Sequence, residues 1–363
     1  MGIRVDYLSP TLYFLDVLWL LVFVGGWREV KVNIRKYWWV GVFIAINVVM
    51  AERGWLSIYR WARIFQMGWM GAYFVKNKRM FRDELVRVLP IWICFESFLG
   101  LGQIIWGRSL EGVFYWLGER RFSYSSIGAA QMAVLGRGIV RAYGTFSHPN
   151  SMAGFLLVAE LLWVTVKAKK KQLWWWMVFW SGLVGIIISG SRTVWLLTVI
   201  SLIFLFKERK RRWGFGVLFM GIFMLVLAGV SSNYVLGDWL GGWDSEGLVK
   251  RWNLNAAALE MIKESPLLGV GLGNFLVKLP EYQKNNNFFW LQPVHNIFLL
   301  LISEIGILGL WGLTKLRMKF DLKNKGYRLA LGVIAVTGMV DHYWLSLPQN
   351  SWLLVVMGVL LLR

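Results

Sequence analysis

Apolar runs of membrane-spanning length recur from one end of this chain to the other. They constrain its fold more than any other feature. Eleven stand out, at about 9–27, 37–52, 61–75, 88–106, 149–166, 172–190, 192–206, 213–232, 295–313, 329–345 and 349–362. A helix rises 1.5 Å per residue, so roughly 20 apolar residues cross a hydrocarbon core about 30 Å thick. Hydrocarbon offers backbone N–H and C=O groups no partner, so each such run must bond to itself as a helix. Composition agrees: 57% of the 363 residues are hydrophobic and only 17% are charged, against about 25% in a soluble domain. A cytosolic enzyme and a disordered chain are excluded, and the single Cys94 excludes an intrachain disulfide framework. The expected fold class is all-α: a polytopic membrane helix bundle forming one integral domain over residues 1–363. The first run lacks a strongly basic start and a small-residue cleavage site, so it reads as a span and not as a removable leader.

Charge placement orients the bundle. The net charge of +20 could suit nucleic acid, but the cations sit between apolar runs. Loops 28–36, 76–87, 167–171, 207–212 and 314–328 hold 24 Lys/Arg in 47 residues; the alternating loops 53–60, 107–147 and 233–294 hold 12 in 111. The positive-inside rule puts the dense set in the cytoplasm, the N-terminus outside and the C-terminus inside. Lys167–Lys171 and Lys207–Arg212 then face anionic headgroups, not nucleic acid. The two long loops, 107–147 and 233–294, lie on the outer face, where loops supply the irregular, hydrated backbone that chemistry needs. No GxxxxGK[ST] motif is present, so the substrate must arrive already activated or already lipid-bound.

Within the second long loop, Leu248, Trp252, Leu259 and Ile262 recur at helical spacing. They predict an amphipathic helix over 246–264 that lies on the membrane surface or packs on the bundle, ended by Pro266 and Gly269. Arg251 stands near its start, in solvent on spacing alone. Gly269, Gly271 and Gly273 form a turn whose backbone N–H groups could bind an anion, although a tight turn is the simpler reading. His295-Asn296 opens the next span, either as a titrating group at the bundle mouth or as a helix cap. Arg192, in the short outward turn Ser189–Thr193, either snorkels or faces a cavity. Arg141 ends the first long loop, while His148 and Asn150 read as a rigid start to the following span. The acids inside spans, Asp16, Glu96, Glu160, Glu304 and Asp341, are expected to partner buried Arg or polar backbone. No D-x-D, HExxH or Cys/His cluster appears, so neither a metal nor another cofactor is expected.

Three blocks in order, Arg141–Asn150 (RAYGTFSHPN), Ser189–Trp195 (SGSRTVW) and Arg251–Phe275 continued by His295–Leu310, resemble the O-antigen ligase and O-antigen polymerase family of bacterial inner membranes. The resemblance implies a C-type glycosyltransferase architecture in that membrane. It also implies transfer of a glycan from undecaprenyl diphosphate to a glycan or lipid acceptor on the outer face, without metal. By position, the family's arginines match Arg192 and Arg251, and its histidine matches His295. Arg141, Asn296, Gly269 and Gly271 are then candidates for substrate binding. The chemistry is compatible: guanidinium forks suit a departing diphosphate, and an imidazole suits an acceptor hydroxyl. A transporter or flippase of lipid-linked glycans is the competing class; it favours symmetric halves, and no internal repeat is found.

Overall fold

The computed structural model describes residues 7–30, 34–134, 137–166, 173–206, 246–283, 291–316 and 319–362. The expected span at 213–232, the basic runs 167–171 and 207–212, and the start of the second long loop lie outside the described residues.

The protein is mostly helical. In chain order the helices are α1 (Phe14–Gly26), α2 (Ile34–Met50), α3 (Gly54–Lys76), α4 (Lys78–Trp106), α5 (Val113–Trp116), α6 (Pro149–Val166), α7 (Leu173–Ile188), α8 (Arg192–Phe206), α9 (Glu246–Glu264), α10 (Phe275–Tyr282), α11 (Ile297–Lys315), α12 (Lys325–Val340), α13 (Tyr343–Ser346) and α14 (Pro348–Leu361). Among the described residues α4, α6 and α11 are long and apolar enough to cross a membrane; α1, α7, α8 and α14 are shorter apolar helices. Two corrections to the expected boundaries follow from helix propensity. The basic loop 76–87 is helical except at Asn77, because Lys, Arg and Glu are good helix formers and no Gly or Pro intervenes before Pro90. Helix α3 likewise absorbs most of the loop expected at 53–60. The all-α expectation needs one amendment: Gln131–Val134 and Arg137–Val140 pair antiparallel as β1 and β2 in the first long loop.

Helix α6 is buried along nearly its whole length and packs against α4, α7 and α12. Glycines set the close approaches, as expected where helix association depends on fit and not on water expulsion. A Cβ on Gly154 would strike the Tyr343 ring, one on Gly182 the Glu160 carboxyl, and one on Gly185 Ser97 and Leu156. Glu160 departs from expectation: its Oε1 is buried with no hydrogen-bond partner among the described residues. The other acids find theirs. Asp16 pairs with Arg63 and accepts from Gln66. Glu96 accepts from the Thr145 N–H at 2.8 Å and the Thr145 hydroxyl at 2.6 Å.

The second long loop builds its own core. On α9 the residues buried against the bundle are Leu254, Ala257, Ala258 and Met261, which join Phe275, Leu279, Val294 and Leu300. Trp252 and Leu259, of the apolar stripe read from the sequence, are exposed. Helix α11 is broken at Gly306, whose φ is 63°. The segment after α9 fills the break, with Val270 N–H donating to Ser303 C=O at 2.8 Å, Ile307 N–H to Pro266 C=O at 2.9 Å and Leu308 N–H to Leu267 C=O at 3.0 Å. A side chain at Gly306 would collide with Leu267 backbone. Gly306→Ala is therefore expected to lose about 1–3 kcal/mol of stability. Gly332→Ala, with open space around it, should lose little, and thermal unfolding of both variants in detergent checks the contrast.

Candidate active site

Six segments end at one face of the bundle: the 141–150 stretch, the turn between α7 and α8, the start of α9, the residue before α11, the residues after α12, and Tyr7. Each is held there by local chemistry. Gln103, two helical turns beyond Glu96 on α4, accepts from the Tyr143 and Gly144 N–H groups at 2.9 and 2.8 Å. With Glu96 it clamps the 143–145 backbone. The turn before α8 needs Gly190 at φ 65°, and Trp195 ties the two helices by donating to Ile186 C=O at 2.9 Å. Asn296 caps α11, its Oδ1 accepting from Phe298 and Leu299 N–H at 2.9 and 3.1 Å.

His295 Nδ1 stands 3.7 Å from Asp341 Oδ1, and its ring centroid is 5.2 Å from that of His342. The Tyr7 ring meets His342 edge-on at 5.6 Å. Asp341 is buried and accepts from His342 N–H at 2.8 Å and Asn150 Nδ2 at 3.3 Å. His342 Nδ1 is 2.6 Å from Ser346 Oγ. His148 stands exposed at the rim, its Nδ1 accepting from Asn150 N–H at 3.1 Å. All three histidines of the chain therefore meet around one aspartate. Residue spacing hid this gathering. His295, Asp341 and His342 each offer an atom that could ligate a cation, and these atoms lie within 4.8 Å of one another.

The expected site residues divide. Arg141 is held inward, Nε donating to Ser189 C=O at 2.6 Å and Nη2 to Asn150 Oδ1 at 2.7 Å. Burial pushes its guanidinium down to about 10, with the nearby Arg192 charge adding to this against Tyr143 and Asp341, so it stays charged at neutral pH. Arg192 and Arg251 are exposed, and among the described residues neither makes a hydrogen bond or ion pair. Arg192 lies within electrostatic reach of Arg141, and Lys250, beside Arg251, within reach of His342. Arg192 is thus a neighbour of Arg141, and the residue preceding Arg251 is a neighbour of His342. Gly269 and Gly271 are placed otherwise than expected. Their N–H groups donate to Ser265 C=O at 3.0 Å and Glu304 C=O at 3.1 Å, and both have positive φ. They clamp the broken helix and have no N–H left for an anion. The Asn296 side-chain oxygen is likewise committed to its cap.

The family described as O-antigen ligase matches residues 177–314, which contain Arg192, Arg251 and His295. That stretch is similar to the O-antigen ligase family. The similarity, with α4, α6 and α11 long and apolar enough to cross a membrane, points to a membrane protein of glycan transfer. No curated protein and no solved structure matches the chain. The matched stretch contains His295, Arg192 and Arg251. Asp341, His342, Arg141 and Asn150 lie outside the matched stretch and complete the site from either side.

Proposed function

We propose that this protein transfers a glycan from undecaprenyl diphosphate to a glycan or lipid acceptor at the outer face of a bacterial inner membrane, without a metal ion. The observation that carries the reading is the His295–Asp341 pair, with Arg192 and Arg251 exposed and making no hydrogen bond or ion pair among the described residues, within and next to the stretch similar to the O-antigen ligase family. The acceptor hydroxyl attacks the anomeric carbon, the bond from that carbon to the diphosphate oxygen breaks, and the lipid diphosphate leaves with the bonding pair. With Nδ1 turned to Asp341, the His295 nitrogen left to take the hydroxyl proton is Nε2, and the carboxylate stabilises the imidazolium that forms. The guanidinium groups of Arg192 and Arg251 offset the charge growing on the diphosphate. Purified protein in liposomes, given lipid-diphosphate glycan and acceptor without ATP, should release lipid diphosphate in step with product. No release with any lipid or glycan acceptor would overturn the reading.

Two further results are expected. Turnover should survive EDTA; loss on chelation with recovery in Mg²⁺ or Zn²⁺ would put a cation among His295, Asp341 and His342 and displace the guanidinium account. The long loops should face outward. In a Cys94→Ser background, a cysteine at Ser125 should react with a membrane-impermeant maleimide in intact spheroplasts, while one at Asp321 should react only after lysis. The reverse pattern would invert the topology.

A further inference from the structure

Two half-buried side chains behind His295, Arg141 and Asn150, have no part in that reaction scheme, yet hydrogen bonds join them to Asp341, whose carboxylate faces the ring. Ser189 C=O accepts from Arg141 Nε at 2.6 Å, Arg141 Nη2 donates to Asn150 Oδ1 at 2.7 Å, Asn150 Nδ2 donates to Asp341 Oδ2 at 3.3 Å, and Asp341 Oδ1 faces His295 Nδ1 at 3.7 Å. The order of groups matters. An amide has one acceptor oxygen and one donor nitrogen. Arg141, which can only donate, therefore fixes which way Asn150 points, and so makes its nitrogen the atom that faces Asp341. Arg141 is fixed in turn by the Ser189 carbonyl at the end of α7, and Gly190 leaves it room: a Cβ there would come within 3.0 Å of Arg141 Nε. The two oxygens of Asp341 are thereby distinguished. Oδ2 is held by Asn150, and Oδ1 accepts from its neighbour's N–H at 2.8 Å and turns to His295.

We propose that Asn150 is a positioning residue. Its amide transmits the anchorage of Arg141 to Asp341, and so holds the carboxylate in register with the His295 ring. The inference rests on the reading of His295 as the group that takes the acceptor proton. The path runs between elements distant in the chain, because Asn150 opens α6, Arg141 precedes it, Asp341 follows α12 and His295 precedes α11. A hydrogen-bonded support of this kind acts through the group it orients, as with the second shell of designed and natural sites. Removing it should cost turnover while leaving donor binding alone, because the diphosphate contacts lie elsewhere.

The test is a double-mutant cycle of Asn150→Ala and Asp341→Asn with two readouts. In the transfer assay Asn150→Ala should lower kcat at least tenfold with donor KM within about twofold, and in the Asp341→Asn background it should cost almost nothing more. The swap Asn150→Asp with Asp341→Asn keeps the same groups in the pocket but moves the carboxylate one step away from His295. It should fold and stay inactive. The second readout needs no turnover: the rate of carbethoxylation of His295 by diethyl pyrocarbonate, followed by peptide mass spectrometry. That rate should rise in Asn150→Ala to the level of Asp341→Asn, with no further rise in the double variant. An unchanged His295 rate in folded Asn150→Ala, or additive losses of turnover, would overturn the positioning role. A wild-type protein that transfers nothing, while the His295 rates follow the expected cycle, would remove the reaction assignment and leave the structural path standing.

Discussion

Replacing His295 by Ala should lower turnover by about 10²–10⁴-fold, the range for a lost general base, with donor affinity nearly intact. The imidazole lies against Asp341 and His342 and is only 18% exposed, so two controls separate chemistry from packing. His295→Gln keeps a hydrogen-bonding group of similar reach but cannot take a proton. If it restores most of the turnover, His295 orients the acceptor and does not deprotonate it. Asp341→Asn should fall toward the His295→Ala level, since the buried partner that stabilises the imidazolium would be gone while the His342 N–H keeps an acceptor. Lipid-diphosphate release is the measurement, with donor affinity from binding of the unreacted lipid. Turnover near wild type in His295→Ala would remove this residue from the site.

The arginines should act on the other half of the reaction. Arg192→Ala and Arg251→Ala should each lose about 10²–10³-fold in rate, by analogy with a lost oxyanion donor. Both side chains are exposed and among the described residues make no hydrogen bond or ion pair, so neither loss should be accompanied by a fall in thermal stability. That combination distinguishes them from Arg141. Arg141→Ala leaves the Ser189 carbonyl and Asn150 without their donor and should lower the unfolding temperature as well as the rate. Arg→Lys at 192 or 251 should rescue only in part, because an ammonium cannot reproduce a two-pronged contact with phosphate. Full activity in both alanine variants would leave the diphosphate without counter-charge from these residues and sink the assignment.

The sequence was informative where the physics is local. Runs of apolar residues become helices because hydrocarbon allows nothing else, and the helices at Pro149–Val166 and Arg192–Phe206 begin and end where those runs do. The break after α9 was legible from Pro266 and the glycines, since no other residue readily adopts positive φ. Local periodicity found the helix α9 with its bounds but not the face it turns to the bundle. Trp252 and Leu259 are the large apolar residues, yet the small Ala257 and Ala258 face the bundle. A close-packed interface selects what fits at short range, not what is most hydrophobic.

What the chain alone determined is a mostly helical membrane class of molecule and three proposed site residues, Arg192, Arg251 and His295, each beside a recognisable block. What only the tertiary structure decided is company. His148, Asn150 and Asp341 read as caps or buried partners, and His342 drew no reading at all, because nothing in their own neighbourhoods marks them. Their convergence on His295 depends on how α6, α11 and α12 pack, through contacts such as Gly154 against Tyr343 and Gly338 against Ile297. Those contacts are set by shape between segments far apart in the chain. Helix periodicity encodes which face turns inward, but the neighbour that face meets is chosen by the packing of the whole bundle.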